Sequence, residues 1–498
     1  MITERAIIIG GGIAGLLAAK VLSGFYREVV IVDRDAFPEE PENRPGTPQA
    51  FQPHRFTPRS RIILNRLFPG FIDELINNGA HPTHGKTTHL FSPYGQMIAV
   101  EQSHDASFSR ALFEWVLRRY IQGIENVRMV GLNDVIQFQT TEDRSRVTGI
   151  VIRERASGER RLFTMSSDLV IDTSGRFSKT AQWLAEIGYE VPQAERLKVS
   201  LGYSTRRYRI PVGRKEELDG IRMEGNPLAT SHAGAFSIIE NDIAEMVLWN
   251  LNGRYPSTDP ALFEQEIRQL GNPLLNEALQ GLEPIGQPRG FRVPELTRQR
   301  FEQMDRWPSG LLVMGDAFCQ LDPVYGQGMT LAAIEAEILE ACLHQQLSHP
   351  KSDFELEVLN RIQEIIEPAW WLNVVSDLRW EGVEHIGAQP IQGLTFAQHF
   401  FEHILKWSTE HVNYDIFGLY WLVNSLFLSP RELFNADIVT SLLAVGGSGE
   451  AKQWLDRWIE DSDRPLHERL EQTIPSFERA PFATIEQLMP SSSYTTNK

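Results

Sequence analysis

Cysteine is scarce: the 498-residue chain has two, Cys319 and Cys342. Two thiols make no disulfide framework, and their scarcity suits a reducing compartment. Positive charge is also short, with 48 Lys and Arg against 65 Asp and Glu and a net charge of −17. A surface of that sign argues against nucleic acid as the main partner. No apolar run approaches the roughly 18–20 residues needed to span a bilayer. The longest, near 417–428, is interrupted by Asn424. No basic segment followed by an apolar one opens the chain, so no signal peptide is expected. The expectation is a cytoplasmic protein with no transmembrane segment and at most a peripheral contact with membrane. There is no internal repeat, no low-complexity tract and no G-x-S-x-G elbow with a Ser-His-Asp set. His399-Phe-Phe-Glu402-His403 matches a zinc spacing, but the chain has 13 histidines and aromatic neighbours suggest helix packing. No metal site is expected.

What is present is of ordinary globular composition, and the length implies two or three units. One stretch organises the rest. An apolar run from Leu311 to Met314 ends at Gly315-Asp316, followed by Pro323, a Gly326-Gln327-Gly328 turn and a helical pattern from about Met329. A strand, an acid at its end, a glycine bend and a helix start suit a ligand rich in polar oxygens. Free N–H groups at a helix start favour negative charge, and glycines let backbone approach the ligand.

Its partner stands near the other end. Arg5-Ala-Ile-Ile-Ile-Gly reads as a buried parallel strand running into Gly10-Gly11-Gly12-Ile13-Ala14-Gly15 and an apolar helix to about Ser23. A second strand, 28–33, ends in Asp33, 18 residues beyond Gly15. Here the G-x-G-x-x-G has its proper context, and the acid has the spacing of one that grips a ribose. Gly10 permits the tight turn, Gly12 the approach of a pyrophosphate, and Gly15 close packing of helix on strand. A dinucleotide is the expected ligand.

Residues 35–60 form a proline-rich loop carrying Arg44, Gln49 and His54. Its polar groups either reach phosphate and ribose or are solvated loop residues. A short helix is expected over 59–67 and a clearer one over 106–122, with Ser109 or Ser107 as cap. Arg110 in that first turn opposes the helix dipole. Either a ligand oxygen or simple surface placement explains it. Strands are expected over 127–130, 135–141, 147–155 and 161–165. Another, 168–172, closes on Thr173-Ser174-Gly175-Arg176-Phe177-Ser178. Residues 196–300 read as a separate sheet unit, with strands near 199–210, 235–240 and 244–251 and a helix over 260–269. From about 352 the chain is mainly helical and holds seven of the eleven tryptophans: Trp370, Trp371, Trp380, Trp407, Trp421, Trp454 and Trp458. Such density marks either a packed cap or the wall of an apolar substrate tunnel. The tail from Ser491 is polar and expected to be disordered. The fold class is therefore α/β with α+β character: a Rossmann-like dinucleotide domain, an inserted β-sheet substrate domain and a helical C-terminal region. The expected division is 1–195 and 301–350 for the first, 196–300 for the second, and 351–498 for a cap over the substrate site.

Taken together, Gly10-x-Gly12-x-x-Gly15 with Asp33-Arg34, then Arg110, Asp172–Ser178, Gly315-Asp316 and Pro323…Gly326-Gln327-Gly328-Met329 resemble the flavoproteins of the p-hydroxybenzoate-hydroxylase fold. The similarity covers about residues 5–345. Within that family the chain looks closest to squalene-epoxidase-like and polyether-pathway epoxidases, which the 38–54 segment and Asp172-Thr-Ser-Gly-Arg176-x-Ser178 resemble. The resemblance implies FAD. Gly10, Gly12, Ile13, Ala14 and Gly15 would hold its pyrophosphate, and Asp33 with Arg34 its adenosine ribose. Arg44 and Arg110 would contact phosphate or ribityl, and Asp316 the ribityl chain. Pro323, Gly326, Gln327, Gly328 and Met329 would face the flavin ring; Val135 completes the expected cofactor contacts. The implied activity is an FAD-dependent monooxygenase acting through C4a-hydroperoxyflavin with O2, epoxidising or hydroxylating a hydrophobic alkene or aromatic substrate. It names no catalytic side chain. Many hydroxylases of the family carry Asp-Gly where this chain has Thr173-Ser174-Gly175-Arg176. That departure leaves NAD(P)H as a direct or an indirect donor, the latter through a separate flavin reductase. Rival readings are a flavin-dependent halogenase, with Lys86 as a candidate lysine but no W-x-W-x-I-P segment, a prenyl-chain reductase of the same fold, and a non-catalytic flavin- or lipid-binding protein.

Overall fold

Four apolar runs and the short strand Val127–Val130 build the first layer, a five-stranded parallel sheet. Its order is Leu311–Val313, Leu169–Asp172, Thr3–Ile9, Tyr26–Val32 and Val127–Val130. The inner strands are inaccessible on both faces, which is why they read as continuous rather than alternating. Register matters most here. Ile9 lies opposite both Asp172 and Val32, and Asp172 lies opposite Val313. The chain therefore leaves these strands at one edge of the sheet, and that edge carries Gly10, Asp33, Thr173 and Gly315-Asp316. In parallel sheets the carboxyl edge is where ligands bind.

The computed structural model describes residues 3–54, 56–155, 161–227, 232–387, 390–445, 457, 459, 463–475 and 477. Trp454, Trp458 and the tail from Ser491 lie outside them. A three-stranded antiparallel sheet, Asn133–Thr140, Val147–Glu154 and Leu162–Ser166, stands beside the parallel one.

The second large sheet is broader than the sequence suggests. Glu283–Arg298, Glu195–Arg209, Ile243–Asn250, Ala233–Ile239 and Gly220–Met223 come from the expected unit. Two further strands, Thr87–Ser92 and Gly95–Val100, extend it from a hairpin more than a hundred residues upstream. The junction is a parallel pairing, Gly220–Met223 on Thr87–Ser92, which no local turn announces. Glu384–Ile386 adds a strand from the C-terminal region on Glu195–Arg209.

Helix starts follow their caps. Thr57 accepts from Ser60 N–H in a capping box, so that helix is Pro58–Leu67. Ser109 accepts from Leu112 N–H, so the next long helix is Arg110–Gln122, beginning four residues later than 106. Ala106 and Ser107 pair instead with Pro82 and His81. The helix Phe354–Asp377 buries Trp370 and Trp371, and Trp380 and Trp407 are also buried in the core. For these four the packed-cap reading holds. Trp421, on Tyr414–Asn424, instead lines a cavity.

Candidate active site

A cavity of about 450 Å³ opens at the carboxyl edge of the parallel sheet. Its floor is the glycine turn. Gly10 has φ +102°, and a Cβ there would meet the Thr173 carbonyl oxygen at 2.6 Å. A Cβ on Gly15 would lie 2.0 Å from Gly10 O, so strand and helix touch through bare backbone. Gly12 differs: its Cβ would meet nothing within 4 Å, and the residue lines the cavity. The helix Ile13–Leu22 has no side-chain cap and no acid in its first turn. Its first N–H groups therefore offer an anion site. Across the cavity the helix Gly328–Ser348 also begins without a side-chain cap, behind Gly326 at φ +67°.

The charges around this cavity sort into two groups. One is engaged chiefly by protein partners. Arg44 reaches Glu114 at 2.7 Å, Asp33 at 3.0 Å and the Gly11 carbonyl at 3.2 Å, with 2 % of its side chain exposed. Asp33 also accepts the N–H groups of Gly11 at 2.6 Å and Asp35 at 2.8 Å. Glu114 carries Arg44, Arg110 and Arg118 on one carboxylate. Burial alone would raise its pKa, but Arg110, Arg44 and Arg118 outweigh burial and hold it below the usual range. The Glu114 partner, four residues on, also gives Arg110 a reason to sit in a helix first turn. Arg44 and Arg118 knit the 38–47 loop to the 110–122 helix, and Trp115 Nε1 joins them on Glu39 O.

The other group faces the cavity. Among the described residues Arg110 bonds only to Glu114, at 3.3 Å, which leaves guanidinium N–H groups for a ligand. Asp316 is exposed into the cavity, and its carboxylate accepts no hydrogen bond from the described residues. Its burial within the molecule raises its pKa, opposed by Arg110 and Arg176. Gly315 brings it there: with φ +65°, its missing Cβ leaves room for Ala14 Cβ, 2.8 Å from where it would stand. The Gly315 N–H donates to Glu335 Oε2 at 2.6 Å. An anion-accepting helix start, a cation with spare donors, an acceptor for hydroxyls and a second uncapped helix start together fit a dinucleotide cofactor.

A second cavity, of about 690 Å³, lies against the large mixed sheet. Leu90, Ile98, Phe108, Phe236, Trp249 and Trp421 give it an apolar lining. Its main fixed cation is Arg222, held between Trp249 and Trp421 at 5.3 and 5.8 Å. Arg222 donates to Glu224 at 2.7 Å and to the Val324 carbonyl at 3.1 Å. The two cavities share a wall: Gln52, Pro53, His54, Tyr203, Pro323 and Gly326 line both. His54 Nδ1 lies 2.7 Å from the Gln52 carbonyl, so Nδ1 carries the hydrogen and Nε2 is the acceptor. Burial, with help from Arg110, lowers its pKa to about 3, so the ring is neutral.

Of the residues singled out from sequence, Gly10, Gly12, Ile13, Ala14, Asp33, Arg34, Arg44, Arg110, Val135, Asp316, Pro323, Gly326, Gly328 and Met329 line the first cavity. Gly15 lies beneath it, against Gly10. Gln327 is buried; its side chain donates to the Asn424 carbonyl at 2.7 Å and accepts from Asn373 at 2.6 Å, fastening the turn to the C-terminal helices. Lys86 lines the second cavity, paired with Glu216. Glu402 of the zinc-like pattern accepts the Tyr94 hydroxyl at 2.6 Å. Asp172 is a structural knot, accepting from Ser174 N–H, Ser178 and Thr180. Sequence reading missed Glu114, Glu335, Tyr203, Arg222 and the 87–100 hairpin. A signal existed for Glu114, which stands four residues from both Arg110 and Arg118, and for Glu335, the first acid after the run Leu331–Ile334.

No family model matches the chain. Protein Rv3254 of Mycobacterium tuberculosis is 29 % identical over 403 residues, 78 % of this chain and 82 % of that protein. Squalene monooxygenase of Mus musculus is 24 % identical over 339 residues, 66 % of this chain, which spans about half (52 %) of that enzyme's length. Among solved structures, a flavoprotein/dehydrogenase from Cytophaga hutchinsonii aligns with a TM-score of 0.57 at 15 % identity, covering 85 % of this chain and 95 % of that one. The flavin-dependent brominase Bmp2 aligns with a TM-score of 0.56 at 13 % identity, covering 91 % and 98 %. The chain therefore has the fold of the FAD-binding monooxygenases and halogenases, a mixed α/β architecture with a Rossmann-like parallel sheet.

Proposed function

We propose that this chain is an FAD-dependent monooxygenase that transfers one oxygen atom of O2 to a hydrophobic, electron-rich alkene or aromatic compound, by epoxidation or hydroxylation. The observation that carries this reading is the shared wall, where the cavity over the glycine turn and an apolar chamber meet at Pro323, Gly326, His54 and Tyr203. Gly12, Ile13 and Ala14 would take the pyrophosphate, Asp33 and Arg34 the adenosine end, Arg110 and Asp316 the phosphate and ribityl oxygens, and the Gly326–Met329 turn the flavin ring. When bound, FAD supplies the oxygen activation. The chain's own part is to orient and to exclude water. Trp249, Phe236 and Leu90 hold an apolar body against the sheet. Arg222 offers guanidinium donors to a substrate oxygen beside the turn. His54 Nε2 and the Tyr203 hydroxyl are the polar groups of the wall. Similarity to squalene monooxygenase supports a polyene or terpenoid substrate. The donor is NAD(P)H, directly or through a separate flavin reductase, and anaerobic bleaching by NAD(P)H alone separates the two.

The test is to load the protein with FAD, reduce it without oxygen, mix it with O2 and follow flavin absorbance by stopped flow. An absorbing species between reduced and oxidised flavin, with labelled O2 appearing in an alkene or phenol product, is the expected result. Direct reoxidation with and without such substrates rejects the reading. Very slow reoxidation points instead to a prenyl-chain reductase. Lys86 on the second cavity favours a halogenase as the rival, and a product that requires chloride or bromide would select it.

A further inference from the structure

The turn between the two cavities is held from beneath by the helix Phe354–Asp377. Asn373 Oδ1 accepts the Asp322 N–H at 2.7 Å, and Asn373 Nδ2 donates to Gln327 at 2.6 Å. Tyr325 donates its hydroxyl to Asp377 Oδ1 at 2.6 Å, and Asp322 Oδ1 accepts the Val324 N–H at 2.7 Å. Asp322 and Asp377 are both 0 % exposed. The remaining oxygen of each, Oδ2, is buried without any N–H or hydroxyl donor among the described residues. The Asn373 and Tyr325 bonds bring the two carboxyls together where the turn meets the helix end, and each acts on the other. Two neighbouring buried carboxyls whose second oxygens lack any other donor are best satisfied by one proton held between them.

The surroundings favour that proton. Asp377 is the last residue of its helix, where the negative end of the dipole disfavours an anion. The groups that face the pair are Tyr325, Tyr203 and Arg379, with Arg222 beside Tyr203. Arg222 is committed to Glu224, and Arg379 Nε to the Ser376 carbonyl. Neither is a direct partner of the pair. Burial raises Asp322 to about 6 and lifts Asp377 well above the usual carboxylate range, with the charge of Asp322 adding to the latter.

We propose that Asp322 and Asp377 are positioning residues that share one proton, and that this proton latches the 323–328 turn in the shape that receives the flavin. The inference rests on the FAD reading only for the ligand; the shared proton stands without it. Loss of the proton leaves two adjacent buried anions, and their repulsion pushes the turn off the helix. Affinity for FAD therefore falls as pH rises.

Two measurements test this. In the apo protein near neutral pH, the infrared difference between wild type and Asp377→Asn should contain the C=O stretch of a protonated carboxylic acid, shifted in D2O. In Asp377→Asn the amide donates permanently to Asp322 Oδ2 while its Oδ1 still accepts from Tyr325. Its FAD dissociation constant should be flat with pH, whereas the wild-type value should rise roughly tenfold between pH 6.5 and 9.5. Asp377→Ala, which supplies no donor, should bind FAD weakly at every pH. Absence of the carboxylic-acid band overturns the shared proton. Parallel pH profiles in wild type and Asp377→Asn overturn the latch. If FAD fails to bind at all, the function proposed above falls, and the infrared result still decides whether the proton is there.

Discussion

At the scale of single residues, Gly12 and Gly15 separate binding from folding. Both belong to the same motif, but their surroundings are opposite. A methyl on Gly15 would stand 2.0 Å from Gly10 O, backbone of the turn itself, and 2.8 Å from Thr173 Oγ1 at the end of the adjoining strand. Backbone cannot yield as a flexible side chain does, so Gly15→Ala should cost about 1–3 kcal/mol or more. A methyl on Gly12 would meet nothing within 4 Å, and its φ of −79° suits any residue. Gly12→Ala should leave stability within about 0.5 kcal/mol of wild type. It should still weaken FAD binding by on the order of tenfold, since the methyl stands where a phosphate must approach the N–H groups. Thermal melts with a flavin titration of both variants check this. If Gly12→Ala bound FAD as wild type does, the anion site would not be at this helix start.

Between elements, Glu335 fastens the helix Gly328–Ser348 to the turn that carries Asp316. It is 0 % exposed, its Oε2 accepts the Gly315 N–H, and its Oε1 has no partner among the described residues. Burial raises it from the usual 4.5 to about 8, opposed by the Gly315 N–H and assisted by the Asp316 charge. The folded chain thus holds a proton that the unfolded chain releases above about pH 4.5. This contribution to stability is complete below that value and is lost as pH rises through about 8. Wild type should lose up to a few kcal/mol over that window. Glu335→Gln, which cannot ionise, should lack that part of the slope. Melting temperatures at pH 5, 7 and 9 would show it, and equal slopes would mean that Glu335 ionises normally. Glu335 also shows what sequence could convey. The glycine turns, the acids at strand ends and the apolar strands of the parallel sheet are local patterns, and local patterns are legible. An acid closing Leu-Ala-Ala-Ile-Glu is visible, but its partner, the Gly315 N–H, is 20 residues away and is a backbone group. The same limit hid the pairing of Thr87–Ser92 with Gly220–Met223, which joins two segments with no turn between them. It also hid Asp377, 55 residues beyond Asp322. The start of Arg110–Gln122 was misplaced because Ala106 and Ser107 have a better use as a strand with His81 and Pro82, a competition that only the fold decides.

For the whole molecule, the question is why one chain builds two cavities from two sheets and roofs one of them with C-terminal helices. If the second cavity is the substrate chamber, the cofactor must bind without it and the substrate must not. The roof offers a way to test that division. Gly418, on the helix Tyr414–Asn424, lines the second cavity and is not among the residues of the first. A Cβ placed on it would meet nothing within 4 Å, so a large side chain has room to enter the chamber. Gly418→Trp should therefore fold, and replacing a helical glycine should if anything favour the helix by up to about 1 kcal/mol. Its indole would occupy part of the roughly 690 Å³ available. FAD affinity and its pH profile should match wild type, while turnover of bulky alkenes or phenols should fall at least about tenfold and small substrates should suffer less. Gly418→Ser controls for the loss of glycine alone. Equal loss of FAD binding would mean that the two cavities act as one. Undiminished turnover of bulky substrates would move the reacting carbon out of the second cavity, toward the Arg176 and Phe291 side of the first.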